Sequence, residues 1–357
     1  MIRLFPKGDC SSLVRFLEFL IRWPGSTQPL LWDSDDKHTS ESTQTNDRTT
    51  FFTTTMWRIT LFFRNIYLRI TVNLLRSVFK LTRATPVASN AHSTLNIPSR
   101  DAGRTITANL YTKDNKSPST PQPTLINFHG SGMIFPAFGS DDAFCNHISQ
   151  ESNHAVIDVK YRLSPENPFP AAINDAEDTI RWVLSQPEIY DPARLSISGF
   201  SAGGNLAIVT AAVLMPKHTF HSVLTFYPGV DLASDPAGKI APDPTGKLIP
   251  PCIARFFHRC YIPVGVDARD PRISPLFADL SGFEARLLVV TAARDNMAPE
   301  AEEFVSSVRK QTGRVDDVVL HRMEYCGHGW DKDPNVGAVQ EEAKWRAYSM
   351  AIDMLKA

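Results

Sequence analysis

The chain has 357 residues, 43% of them hydrophobic and 21% charged, with a formal net charge of -1. That length and balance supply a large core and suit an α/β domain with an appendage, and the near-neutral charge gives no basis for a nucleic-acid or other polyanionic partner. The five cysteines are odd in number and lack Cys-x-x-Cys spacing, which argues against a disulfide scaffold or a zinc site and fits a reducing, cytoplasmic setting.

Composition changes near residue 85, so residues 1–85 are read as an N-terminal extension and residues 86–357 as one domain. Met1 to Pro24 has apolar patches but no clean cleavage site, and is not read as a signal peptide. Asp33 to Thr50, rich in Asp, Ser and Thr, is expected to be disordered. Met56 could serve as an alternative start.

Trp57 to Leu81 has helical periodicity. At about 100° per residue, Arg58, Asn65, Arg69, Arg76 and Lys80 gather on one side; Phe63, Tyr67, Ile70, Leu74, Val78 and Leu81 gather on the other. Arg64 falls inside the apolar arc. Four arginines weigh against an ordinary spanning segment, since each costs about 2.5–3.5 kcal/mol at a helix centre. Three readings stay open: a lid helix docked on the protein's own core, a membrane-surface helix, and a signal anchor. Membrane association through residues 57–81 is therefore carried as an alternative to a purely cytoplasmic location. The sequon Asn115-Lys116-Ser117 is weak support for secretion, and no internal repeat is found.

From residue 92 the pattern is that of a mostly parallel α/β sheet. Thr105 to Tyr111 alternates as an antiparallel strand does. Leu125 to Phe128, Ala155 to Val159, Leu195 to Ser198 and Leu287 to Thr291 are short apolar runs of the buried parallel kind. Ala171 to Leu184 and Pro299 to Gln311 read as helices between them. Asn174, Asp175 and Asp178, near the start of the first, are expected to cap it and face solvent.

Gly199-Phe200-Ser201-Ala202-Gly203 stands between the strand at Leu195 to Ser198 and the helical run Asn205 to Leu214. A serine hydroxyl becomes a competent nucleophile only when a base removes its proton, and a Gly-x-Ser-x-Gly turn after a strand presents that hydroxyl above the sheet. Oxyanion donors are expected from the residue after the serine, Ala202, and from the small-residue loop His129-Gly130-Ser131-Gly132 after an earlier strand. His129 is read as an organiser of that loop and not as a base.

The expected base is His328, in the loop Tyr325-Cys326-Gly327-His328-Gly329-Trp330 after the strand-like Val318 to Met323. His218, His221, His258 and His321 sit in regular structure and read as packing or surface residues. Asp295, just past the strand at Leu287 to Thr291, is the expected acid, with Glu300 and Asp331 as rivals. Cys326 neighbours the base, but no second motif supports a cysteine nucleophile.

Several ordered segments between about residue 120 and residue 355 resemble the hormone-sensitive-lipase-like carboxylesterases, the α/β-hydrolase fold-3 group. They are the His129 loop; Tyr161-Arg162-Leu163-Ser164-Pro165-Glu166; the Ser201 elbow with Gly204; Asp270-Pro271-Arg272-Ile273-Ser274-Pro275-Leu276; Asp295; and His328-Gly329-Trp330. The resemblance implies an α/β-hydrolase fold with a helical cap, built from the N-terminal helix and part of residues 232–270. It also implies N–H donors at Ser131, Gly132 and Ala202, and no metal or organic cofactor. Phe200 stands where the group has an acidic residue, which is expected to make the pocket edge more apolar, and Ser131 stands where it has glycine. Some relatives lack the histidine and act as receptors; His328 argues against that role here. The implied function is hydrolysis of an uncharged short- to medium-chain ester, or of an acylated natural-product intermediate in secondary metabolism. A membrane-surface lipase, an acyltransferase and a ligand-binding receptor are the alternatives.

Overall fold

The computed structural model describes residues 46–82, 89–113, 120–246, 248–333 and 337–357. The segment Met1 to Pro24 and the Asn115 sequon lie outside the described residues. Two compact units are present, Met1–Ala84 and Thr85–Ala357.

In the first unit the described element is helix α1, Asn46–Thr82. It covers the stretch with helical periodicity and begins earlier, so Asn46 to Thr50, expected to be disordered, are helical. The rest of that polar run lies outside the described residues. Among the described residues no helix is long and apolar enough to cross a membrane.

The second unit is built on an eight-stranded sheet. The strands are β1 (Ser93–Pro98), β2 (Thr105–Tyr111), β3 (Gln122–Phe128), β4 (Ala155–Val159), β5 (Tyr190–Phe200), β6 (Ser222–Phe226), β7 (Arg286–Arg294) and β8 (Val318–Gly327). Their spatial order is β1-β2-β4-β3-β5-β6-β7-β8. The β1–β2 and β2–β4 pairings are antiparallel and all the others parallel. Both faces of the parallel part are covered, which is why its strands are nearly continuous apolar runs.

One face packs on α3 (Ala171–Leu184), α4 (Ala202–Val209, continued by a π-turn over Thr210–Leu214) and α6 (Ala298–Thr312). Ile126, Ile197, Leu206, Val289 and Phe304 meet there. The other face packs on α2 (Asp142–Ser152) and α7 (Ala338–Lys356) through Phe144, Phe200, Leu288, Val290 and Tyr348. Because strand side chains alternate, Leu195 and Ile197 of β5 enter the first layer while Phe200 enters the second. Helix α5 (Pro251–Tyr261) stands in the long connection between β6 and β7.

Contrary to expectation, the acidic residues of α3 neither cap it nor simply face solvent. Asp175 is fully buried and receives both Arg104 guanidinium nitrogens at 2.7 Å, together with the Arg162 side chain and the Arg162 backbone N–H. Asp178 accepts from Arg100 at 2.7 Å. A carboxylate so deeply buried is tolerable only with such pairing. The helix's own N-cap is Pro170, which offers no side-chain cap.

Candidate active site

Strand β5 delivers the chain into a turn that only small neighbours permit. A Cβ on Gly203 would lie 1.9 Å from the Phe128 carbonyl oxygen, and one on Gly199 would lie 2.1 Å from the Gly203 carbonyl oxygen. Ser201 itself sits at φ 51° and ψ -115°, a conformation that costs a non-glycine residue about 1–3 kcal/mol. The turn is held open by the Ser201 N–H donating to the Phe226 carbonyl at 2.9 Å, while the Asn205 N–H starts α4 by donating to the Ser201 carbonyl at 3.0 Å.

The three residues expected to work together are brought together. Ser201 Oγ lies 2.9 Å from His328 Nε2, and His328 Nδ1 lies 2.7 Å from Asp295 Oδ2. Asp295 follows β7, is 1% exposed, and uses its other oxygen to accept the Met297 N–H at 3.0 Å. An ionised carboxylate can only accept, so this contact places the proton on Nδ1 and leaves Nε2 free to accept from the serine hydroxyl. Tyr227 presents its ring edge-on to the imidazole, 4.8 Å between centroids.

The rival acids are committed elsewhere. Glu300 accepts the Val230 and Asp231 N–H groups and pairs with Lys239. Asp331 accepts the Tyr227 and Tyr348 hydroxyls at 2.6 and 2.9 Å and pairs with Lys332. Burial pushes the Cys326 thiol up to about 11, so almost none of it is thiolate at neutral pH.

The loop after β3 carries the expected oxyanion donors. Gly132 has φ 55°, the left-handed region, and a Cβ there would lie 2.7 Å from the Phe257 ring of α5. Helix α5, from the segment expected to contribute to a cap, thus sets an aromatic ring on this loop. Ala202 opens α4, where the first-turn N–H groups have no acceptor within the helix. Ser131, the departure from glycine, is accommodated by its hydroxyl, which pairs with the Tyr161 hydroxyl at 2.7 Å and accepts the Met133 N–H at 2.9 Å. His129 is buried, stacks on Tyr161 at 4.4 Å, and its carbonyl accepts the Tyr161 hydroxyl at 2.7 Å. Gly130 lies against the elbow, where a Cβ would approach the Phe200 carbonyl oxygen to 3.2 Å.

Phe200 does not line the pocket edge, contrary to expectation. It is fully buried in the α2/α7 layer, stacked on Phe226 at 4.4 Å and edge-on to Phe144, with the Lys332 ammonium 3.7 Å from its ring centroid. The reason is the alternation of β5, which turns Phe200 to the face opposite Ile197. No catalytic motif of the sequence points to Tyr161, Tyr227 or Phe257 as neighbours of the site. Tyr161 lies inside a segment that resembles the family's, and Phe257 inside residues 232–270, expected to contribute to a cap. Among the described residues no cluster of His, Cys, Asp or Glu could hold a metal ion.

This sheet, with a serine–histidine–aspartate cluster at the carboxyl ends of its strands, defines an α/β hydrolase. Residues 125–332 match the family described as alpha/beta hydrolase fold. The chain belongs to that family, in its hormone-sensitive-lipase-like, fold-3 group, and is a serine hydrolase of the carboxylesterase and lipase type. It is 32% identical to an ethyl acetate hydrolase of Pseudomonas putida over 233 residues, 64% of this chain and 73% of that one. A versiconal hemiacetal acetate esterase of Aspergillus parasiticus is 36% identical over 96 residues, 27% of this chain and 30% of that one. The carboxylesterase EstE1, cloned from a metagenomic library, superposes with a TM-score of 0.66 at 27% identity, covering 82% of this chain and 98% of its own.

Proposed function

We propose that the protein hydrolyses an uncharged ester with a short to medium acyl chain through an acyl-enzyme on Ser201. The observation that carries this reading is the Ser201–His328–Asp295 relay on a strained turn. His328 Nε2 takes the hydroxyl proton as Ser201 Oγ attacks the ester carbonyl, and Asp295 holds the imidazolium that forms. The tetrahedral oxyanion is received by N–H groups of Ser131, Gly132 and Ala202, each such donor supplying about 2.7–4 kcal/mol in the transition state. Collapse releases the alcohol, which takes the proton from Nε2. Water, activated by the same nitrogen, then attacks the acyl-serine and frees the acid.

Two of the relatives are named for acetate esters, and the second of them supports an acylated natural-product intermediate as the physiological substrate. The experiment is hydrolysis of p-nitrophenyl esters of graded chain length by the wild type and by Ser201→Ala. The expected result is highest turnover on the short chains and a loss of about five to six orders of magnitude in the variant. Equal rates in the two proteins would remove Ser201 from the chemistry. Product esters formed from an added alcohol in preference to acid would make acyl transfer the reaction.

A further inference from the structure

Helix α1 carries a row of large apolar side chains that the hydrolase reading does not use. Met56, Ile59, Phe62, Phe63, Ile66, Ile70 and Leu74 are all exposed, Phe62 at 61%, Phe63 at 54% and Ile70 at 65%. At the helical angle they fall within an arc of roughly 120°. Between Met56 and Leu74 only Asn73 puts a polar side chain into that arc. Leu68, Thr71, Val72 and Leu75, on the opposite side, are buried. The exposed row is therefore a second apolar face, and a contiguous one of this kind marks an interaction site.

The charges beside it specify the occupant. Arg58, Arg69 and Arg76 line one border of the arc, and from Arg48 to Arg83 the chain contains no aspartate or glutamate. We infer that α1 lies on an anionic lipid surface, its apolar row in the acyl boundary and its arginines at the headgroups. Aromatic and aliphatic residues on one face with arginines along its edge are the pattern of helices lying in the plane of a membrane interface. No described helix is apolar enough to cross a bilayer instead. A second copy of the chain fits less well, because pairing the two rows would set arginine borders together with no acid between them.

The test is co-sedimentation of the full-length protein with phosphatidylcholine vesicles, with and without added phosphatidylserine, at low and high salt. Binding is expected to the phosphatidylserine vesicles, weakened by salt. Arg58→Gln/Arg69→Gln and Ile66→Ser/Ile70→Ser should each lower apparent affinity by about tenfold or more. Both variants should keep the wild-type circular dichroism and hydrolysis of a dissolved ester, since neither changes a residue of the Ser201 site. Absence of wild-type binding, or binding that neither pair of substitutions weakens, overturns the inference. So does a wild-type dimer that Ile66→Ser/Ile70→Ser abolishes, which assigns the row to a second copy. The vesicle readout does not depend on which ester, if any, the protein hydrolyses.

Discussion

The turn around Ser201 and the helix α1 hold their key residues in opposite ways. At the turn, position is dictated from every side: two glycines leave no room for a methyl group, a backbone bond to Phe226 fixes the serine, and Asp295 fixes the histidine. On α1 the exposed residues touch little of the protein, and what they share is a chemical character along one arc. A catalytic group must be placed to a fraction of an ångström, whereas an interfacial face needs only area and charge. Single substitutions should therefore be severe in the first region and nearly silent for folding in the second.

Short of removing the nucleophile itself, the largest effect should come from Asp295→Asn, which keeps the shape but favours the wrong imidazole tautomer. Ester hydrolysis should fall by about four orders of magnitude with the melting temperature little changed, as steady-state kinetics and calorimetry would show. Gly203→Ala should destabilise the fold by more than about 4 kcal/mol, because the added methyl meets the Phe128 carbonyl. A soluble, active Gly203→Ala protein in denaturant titration would show the turn to be less constrained than its contacts imply.

A third prediction concerns pH. Burial holds His154 neutral, its imidazole down to about 4 from an ordinary 6.5. The unfolded chain takes up that proton first, so stability is full above pH 6.5 and is lost as pH falls toward 4. The loss attributable to His154 is of the order of 3 kcal/mol, and chemical denaturation across this window should be flatter for His154→Asn. Smaller still, Ser201→Gly should raise stability by about 1 kcal/mol, as relief of the positive φ exceeds the added chain entropy. Ile70→Ser on α1 should shift stability by no more than about 0.5 kcal/mol in the same measurement.

The site was legible in the sequence because its parts are local and sit at strand ends. Ser201 and Asp295 each follow a short apolar run and His328 a strand-like one, and the sheet does the rest. The inward turn of Phe200 is itself legible: counting by twos from Ile197 puts it on the opposite face of the sheet. Asp175 was beyond such reading, since Arg104 lies 71 residues away and only the folded chain reveals the pairing. Strand β6, Ser222–Phe226, is not anticipated from the sequence, although its run is as long as that of β4. Helix α1 shows the converse case. Its periodicity was plain, yet apolar residues on two sides of one helix blur a pattern that assumes a single buried face.

Asp175 has a consequence of another kind. By gripping Arg104 just before β2, and Arg162 just after β4, it fastens the antiparallel end of the sheet to α3. That end is where unpaired backbone would become available if the β1–β2 hairpin peeled away, exposing β4 as a new edge able to recruit other chains. The carboxylate thus acts as a clasp on the sheet's margin, and its loss would favour self-assembly into aggregates before the catalytic centre itself came apart.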